Sequence, residues 1–344
     1  MRKRFAPIGV AALAALFFGC ATAVPMRVTK PAEVNMAGAR NIAVFDFTYP
    51  VQGITLKSEK EIFNLLLTEA LDLKIEEDTI EKRIAAYASN NLVQSLVETD
   101  YFQVLSPKDV TQAMIGADNP NLGLTDVGLA LGADAIIVGS VDVMTPEEKT
   151  YQKDVYVKDP KTKKLVKTKA DYISRSIYIE ITYRVLDAAD GSMYASRTLE
   201  NNQSREVKLD DKDKLPKYED LYLKAIDAVV PSIAKQLAPY TVTEYRYLKE
   251  DKTKDPKMKQ ADEFVKGGIY QKALNLFMEV WESNQNPAAG FNAAIMLEAV
   301  GDIDGAIELM DNVMDISPDK DIMREYNRLL ASKEQMETVA EQME

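Results

Sequence analysis

The side chains that perform most enzyme chemistry are scarce in this chain. Its 344 residues include no histidine and one cysteine, Cys20. Without imidazole there is no histidine general base, no serine–histidine or cysteine–histidine pair and no histidine-ligated metal. A single cysteine also excludes an internal disulfide and zinc sites of the CxxC type. We therefore predict that the protein is not an enzyme and uses no cofactor and no metal.

Carboxylates are the remaining candidates for catalysis. Glycosidases work through two carboxylates, and pairs occur in this chain at Glu147-Glu148 and Asp210-Asp211. Both pairs lie in polar segments, and no motif places either in a cleft. No glycine-rich phosphate loop is present. An enzyme that uses only carboxylates is therefore the weakest of the alternative functions.

Charge and length limit the class of protein further. The formal net charge is −12, so general binding of nucleic acid is not expected on electrostatic grounds. A chain of 344 residues is long enough for about two domains.

The cysteine follows an N-terminal segment with the pattern of a secretion signal. Residues 2–4 are basic, residues 5–18 are apolar and Gly19 precedes Cys20. This start resembles a bacterial lipoprotein signal. The resemblance implies that residues 1–19 are a signal peptide and that Cys20 becomes the N terminus, with acyl chains (palmitate among them) on its sulfur and amine. Ala21 stands where related lipoproteins carry an inner-membrane retention aspartate, which implies the outer membrane, facing the periplasm.

The next part of the chain predicts a tether and an α/β domain. Residues 20–37 carry prolines and small residues and are expected to be the tether. Within residues 38–248, apolar runs at 41–47 and 132–143 predict buried strands. A helix begins at Thr79, and Asp190-Gly191 predicts a hairpin turn. The expected fold class is α+β or α/β, with helices packed on a mixed sheet.

Three segments of this domain resemble a known family. Residues 42–47, 101–105 and 132–140 are similar to the periplasmic α/β domain of the CsgG curli-secretion lipoproteins. The amino-terminal domain of TolB and the penicillin-binding-protein activator lipoproteins share that design. The resemblance implies a periplasmic domain that performs no catalysis.

Residues 249–344 predict a second, helical domain. Gly268-x-Tyr270-x-x-Ala273 recurs as Gly301-x-Ile303-x-x-Ala306 after 33 residues. The spacing is close to the roughly 34 residues of a tetratricopeptide repeat, and the sequence resembles two such repeats. Stacked repeats usually need about three copies. We therefore expect a C-terminal capping helix.

The resemblance to tetratricopeptide repeats also implies a binding groove. The matching positions on the inner helices are Met258, Asp262, Val265, Phe291, Ile295 and Glu298. An apolar centre with an acidic rim would suit an amphipathic, basic peptide or helix from a protein partner. The alternative is that the first domain or the last helix covers this surface.

A lysine-rich hairpin is predicted around Asp159-Pro160. The segment Lys149–Lys169 contains eight lysines and two aspartates. It could contact lipid headgroups, an anionic polymer or an acidic partner, or it could be a solvated edge hairpin whose lysines prevent edge-to-edge pairing. Its strands lack the alternating apolar residues that a CsgG-like pore requires.

These observations favour a binding protein over an enzyme. We expect a lipid-anchored outer-membrane protein that scaffolds or assembles an envelope complex through its helical repeats. The alternative from another class is a CsgG-like oligomeric secretion or transport component. The two would differ in the mass of the assembled protein.

Overall fold

The computed structural model describes residues 22–49, 61, 63–64, 66–67, 79–116 and 123–344. Cys20 and the predicted signal peptide lie outside these residues. The described chain divides into two compact units. The helical unit contains the residues up to Lys30 and Thr241–Glu341, and the sheet unit contains Pro31–Tyr240 and Gln342–Glu344.

The elements follow in chain order, strands first and helices second. The strands are β1 (Ala23–Lys30), β2 (Asn41–Val44), β3 (Gln103–Leu105), β4 (Ala135–Lys158), β5 (Leu165–Asp187), β6 (Met193–Lys208) and β7 (Tyr240–Tyr247). The helices are α1 (Ile80–Val97), α2 (Pro107–Gly116), α3 (Leu124–Ala130), α4 (Tyr218–Leu237), α5 (Pro256–Lys266), α6 (Tyr270–Asn284), α7 (Pro287–Ala299), α8 (Ile303–Ile316) and α9 (Lys320–Met343), and a 3-10 turn spans Leu209–Lys214.

The sheet unit is built on a mixed sheet with strand order β3-β2-β4-β5-β6. Strand β2 pairs in parallel with β3 and β4, and the later pairs are antiparallel. The predicted helix start at Thr79 is confirmed, because the Thr79 hydroxyl accepts a hydrogen bond from the Lys82 backbone N–H. The fold is a mixed α+β architecture, as expected.

The side chains of residues 42–45, on and just after β2, alternate between two apolar cores, one on each face of the sheet. Ile42 and Val44 join the core that contains α1 and α4, whereas Ala43 and Phe45 join the core that contains α2 and α3. A strand buried on both faces needs a continuous apolar run, and residues 42–45 supply it. Helices therefore cover both faces of the parallel part of the sheet.

Strands β4 and β5 form one long hairpin. Their register pairs Ala135 with Asp187 at the base and Lys158 with Leu165 at the turn. The sequence predicted that the first of these strands ends near residue 143, where the apolar run stops. In the structure the register shifts between Val141 and Val143, and the pairing then continues. Past that point only β5 contributes buried side chains, the last of them Ile173 opposite Thr150, and backbone hydrogen bonds carry the pairing on to the turn.

The helical unit is a series of packed helices. Each of α5, α6 and α7 contacts the next helix in sequence, and α9 adds Ile322 and Leu329 to the shared core. The repeated alanines Ala273 and Ala306 are fully buried. At Gly290 in α7 an added Cβ would overlap Val313 and Trp281, so the helices approach closely there because this residue has no side chain.

The expected tether at residues 20–37 is not simply a spacer. Within it β1 pairs with β7 to form a two-stranded sheet, and the Leu248 backbone N–H donates to the Thr22 carbonyl at 3.0 Å. Val24 and Met26 are buried in the core of the helical unit. Their alternation is a strand signal, although the flanking prolines and small residues suggested a linker. Strand β7 falls within residues 38–248, the range expected for the first domain, but it belongs almost entirely to the helical unit.

Candidate functional site

A groove of about 780 Å³ opens in the helical unit. Residues 248–255 form one wall and α5 forms the other, and Phe277 lies at the base. Thr22, the first described residue, also lines it. The apolar floor consists of Leu248, Met258 and Phe277, which are buried among the helices.

The wall made by residues 248–255 is held against α7 by hydrogen bonds to one asparagine side chain. The Lys249 backbone N–H donates to Asn292 Oδ1 at 2.7 Å, and Asn292 Nδ2 donates to the Lys249 carbonyl at 3.0 Å. The Lys249 ammonium bonds Asp319 at 2.7 Å and lies 5.6 Å from the Phe291 ring centre. These contacts hold the wall in place, so the groove is largely preformed.

Asp251 organises the turn that follows. Its carboxylate accepts hydrogen bonds from the backbone N–H groups of Thr253 and Asp255 at 2.9 Å and from Asn286 Nδ2 at 3.0 Å. Burial acts to raise the pKa of Asp251, but these hydrogen bonds outweigh burial, and the pKa is lowered. Asp251 is therefore charged at neutral pH and committed to the turn.

Of the other three acidic residues that line the groove, Asp255 and Asp262 have local partners, whereas Glu250 is exposed and has no ion-pair partner among the described residues. Asp255 caps α5 by accepting the Lys257 backbone N–H at 2.8 Å, and Asp262 pairs with Lys266 at 2.7 Å. Lys254 and Lys259 line the same groove. Neither lysine has a carboxylate oxygen within 4.0 Å in the described part of the chain. The available charge of the rim is consequently more basic than its composition suggests.

Only two of the six predicted binding positions line this groove. Met258 and Asp262 do so, whereas Val265, Phe291 and Ile295 are buried in the core of the helical unit. Phe291 retains 7% of its exposure and Ile295 retains 1%. The expectation of an open apolar centre at Phe291 and Ile295 is therefore wrong. The neighbouring elements of the same unit cover both side chains.

Glu298, the sixth position, is the centre of an ion-pair network. Its carboxylate accepts from Arg328 Nη1 at 2.8 Å and from Arg246 Nη2 at 3.3 Å, and Arg328 also bonds Glu325. The Glu298 side chain is only 10% exposed. Its contacts are therefore structural, between β7, α7 and α9.

The linker supplies groove residues that the sequence pattern did not reveal. Lys249 and Lys254 were not predicted to contribute, because the charged segment 249–256 has the composition of a spacer between domains. Asn292, on α7, was not predicted either. The available signal was Asp255-Pro256, an N-cap followed by proline that marks a helix start. That signal indicates that the linker ends against a helix.

A second cavity, of about 300 Å³, lies in the sheet unit beside the carboxyl end of β2. Asp46 and Lys82 are its charged lining residues in the described chain. Burial raises the pKa of Asp46, although a hydrogen bond from the Ser89 hydroxyl opposes the rise. A second lining carboxylate, which two-carboxylate catalysis needs, is not found among the described residues.

Membrane and metal features complete the description. Of the helices in the described ranges, none is long and apolar enough to cross a bilayer. The same residues contain no cluster of three potential metal ligands among histidine, cysteine, aspartate and glutamate. Cys20, the predicted lipidation site, lies outside the described residues.

The chain resembles solved structures only distantly. No protein-family model matches the sequence, and comparison with curated proteins finds no relative. A PelC dodecamer from Paraburkholderia phytofirmans shows 10% identity and a TM-score of 0.27, covering 63% of this chain and 99% of its own. The lipoprotein GNA1162 from Neisseria meningitidis shows 12% identity and a TM-score of 0.25, and the match covers 57% of this chain and 98% of that one. The C-terminal domain of LpoB from Salmonella enterica shows 13% identity and a TM-score of 0.22, and the match covers 50% of this chain and 88% of that one. At these scores the likenesses assign neither a family nor a function.

Proposed function

We propose that this chain is a non-enzymatic, lipid-anchored binding protein of the bacterial outer membrane. It acts in the periplasm as a scaffold or assembly factor of an envelope complex, through helical hairpins of the tetratricopeptide type. The observation that supports this most is the preformed groove, whose walls and floor come from consecutive elements of the helical unit. Most of a groove's binding energy comes from a few apolar and charged anchors, and this groove offers both kinds.

The charges of the groove indicate the chemistry of the partner. Asp251, Asp255 and Asp262 are engaged locally. The charges left for a ligand are therefore those of Lys254, Lys259 and Glu250, and they sum to one positive charge. The partner segment would therefore carry an acidic side chain beside an apolar one directed at Met258. This differs from the basic peptide expected from an acidic rim at Asp262 and Glu298.

Crosslinking inside the cell tests the groove. A photoreactive residue at Lys259 should give a discrete crosslinked protein, identified by mass spectrometry, whose yield falls with Lys254→Glu. The matched control places the same residue at Asn312, which is exposed on α8. Identical products from both positions, or none from Lys259, would reject the groove as the binding site.

Fractionation tests the anchor separately. Cys20→Ser should move the protein from the detergent phase to the aqueous phase in a detergent partition, because Cys20 would carry all of the acyl chains on which stable anchoring depends. Retention of the variant in the detergent phase would reject lipidation at Cys20 and would leave the groove experiment unaffected.

The alternative is an oligomeric secretion or transport component. It is retained because the β4–β5 hairpin extends past the buried sheet, as an assembly element could. Light scattering of the detergent-extracted protein distinguishes the two proposals. A monomer or dimer supports the scaffold, and a ring of several copies supports the transport component.

A further inference from the structure

The hairpin tip, which comprises residues 155–169, differs in character from the rest of the sheet unit. It contains six lysines and one aspartate in a chain of net charge −12. Strand β6 pairs with β5 only as far as Tyr172, opposite Lys208. Beyond that point the described structure has two strands alone. The tip is thus a narrow basic ribbon.

The single aspartate of the tip does not neutralise these lysines. Asp159 Oδ1 accepts hydrogen bonds from the backbone N–H groups of Lys161 and Thr162 at 2.9 and 2.7 Å and from the Thr162 hydroxyl at 3.0 Å. Its carboxylate is therefore directed into the turn. One lysine of the tip, Lys167, pairs with Asp154 at 2.8 Å. The other five have no carboxylate oxygen within 4.0 Å among the described residues: Lys158, Lys161, Lys163, Lys164 and Lys169.

Apolar side chains are exposed between these lysines. Tyr156 is 68% exposed and Leu165 is 70% exposed, and Val157 and Val166 are also exposed. Cross-strand partners share a face of the ribbon. The pairing of Val157 with Val166, and of Lys158 with Leu165, therefore places Tyr156 and Leu165 on one face and the two valines on the other.

We propose that the hairpin tip docks on an anionic lipid surface, with its apolar residues at headgroup depth and its lysines on lipid phosphates. A bilayer surrounds an inserted tip on every side, so apolar residues on both faces are covered at once. A linear polyanion laid along the ribbon would cover one face only. Lysine side chains can bury their alkyl stems while the ammonium reaches the phosphates. The electrostatic attraction between a lysine and the anionic surface contributes roughly a fivefold gain in membrane affinity for each lysine near that surface.

Tryptophan fluorescence can test the docking directly on the full chain. The only tryptophan, Trp281, is buried in the helical unit, so Tyr156→Trp adds a reporter at the tip. Phosphatidylglycerol–phosphatidylcholine vesicles should shift its emission to shorter wavelength, and added salt should reverse the shift. Pure phosphatidylcholine vesicles should leave it unchanged. The Tyr156→Trp chain also carries Cys20→Ser, so that the reporter is compared without a lipid anchor.

Charge reversal separates this docking from general electrostatics. The triple variant Lys161→Glu, Lys163→Glu, Lys164→Glu should weaken vesicle binding on the order of 100-fold. The control Lys224→Glu, Lys252→Glu, Lys320→Glu has the same net charge, alters lysines that are also exposed, and should bind like the parent. Equal losses in both would overturn a site at the tip.

A soluble polyanion distinguishes the other class of ligand. If heparin binds the parent chain but vesicles cause no emission shift at Tyr156→Trp, the membrane proposal is overturned in favour of a polymer site. Because the altered residues are exposed, the thermal midpoint of each variant should match the parent, which excludes misfolding as the cause of a loss.

Discussion

Large apolar side chains are buried in the helical unit but exposed at the hairpin tip. Phe291, which sequence similarity placed in an open groove, keeps 7% of its exposure, whereas Leu165 keeps 70%. Phe291 is surrounded by packed helices and a fastened linker, and Leu165 lies where two strands extend alone. A repeat pattern therefore identifies a core at least as readily as a binding surface. An exposed apolar residue beside unpaired lysines is the stronger indication of a ligand.

Matched truncations give the largest expected effect. Phe291→Ala should lower the free energy of unfolding by about 3–5 kcal/mol, because it leaves a cavity in a packed core. Leu165→Ala should change it by less than about 0.5 kcal/mol, because the side chain is already solvated. Urea denaturation of both variants measures the contrast. Similar losses in the two variants would mean that the tip is packed in solution, and the contrast would then disappear.

The ion network around Glu298 is the next largest contribution. Glu298→Ala removes the carboxylate shared by Arg246 and Arg328 and should cost about 3 kcal/mol. This is the low end for breaking a buried pair, because Arg328 keeps 24% of its side-chain exposure. Glu308→Ala, on the exposed side of α8, is the control and should have a much smaller effect. If the two variants unfold at the same urea concentration, Glu298 is not structural and returns as a candidate contact for a partner.

The sequence was informative where local pattern and packing agree. The mixed sheet follows from the apolar runs at 41–47 and 132–143, and the helix start follows from the capping residue Thr79. In these segments the same side chains that favour an element also bury it. The mixed α+β class of the sheet unit could therefore be predicted without any contact information.

Prediction failed where a contact depends on residues distant in sequence. The pairing of β1 with β7 joins residues more than 200 positions apart, and no local signal specifies such a partner. The coverage of Phe291 by Lys249, and the fastening of that wall by Asn292, depend on the path of a charged linker. Its polarity indicated exposure, but hydrogen bonds rather than apolar burial hold it in place.

Asp251 allows the groove wall to be loosened selectively. Asp251→Asn should cost about 1.5 kcal/mol at neutral pH, because the carboxylate accepts several hydrogen bonds. Its pKa is lowered in the folded chain. Its contribution is therefore fully present above the usual aspartate pKa and is lost as the pH falls through the lowered value. The stability difference between parent and variant should shrink on acidification, as measured by urea denaturation across pH. A constant difference would show that the carboxylate charge is not involved.

The smallest global effect is expected at Asp159, which keeps the hairpin tip ordered. Asp159→Ala removes the acceptor for Lys161 and Thr162, so amide hydrogen exchange at the turn should accelerate while the thermal midpoint stays unchanged. Hydrogen bonds from Thr162 lower the pKa of Asp159, and acidification of the parent through that pKa should reproduce the faster exchange. Because two strands extend alone there, opening of the turn need not reach the sheet core. A lower thermal midpoint in Asp159→Ala would instead show that the tip and the core unfold together, and the tip would then be a structural element rather than an independent surface.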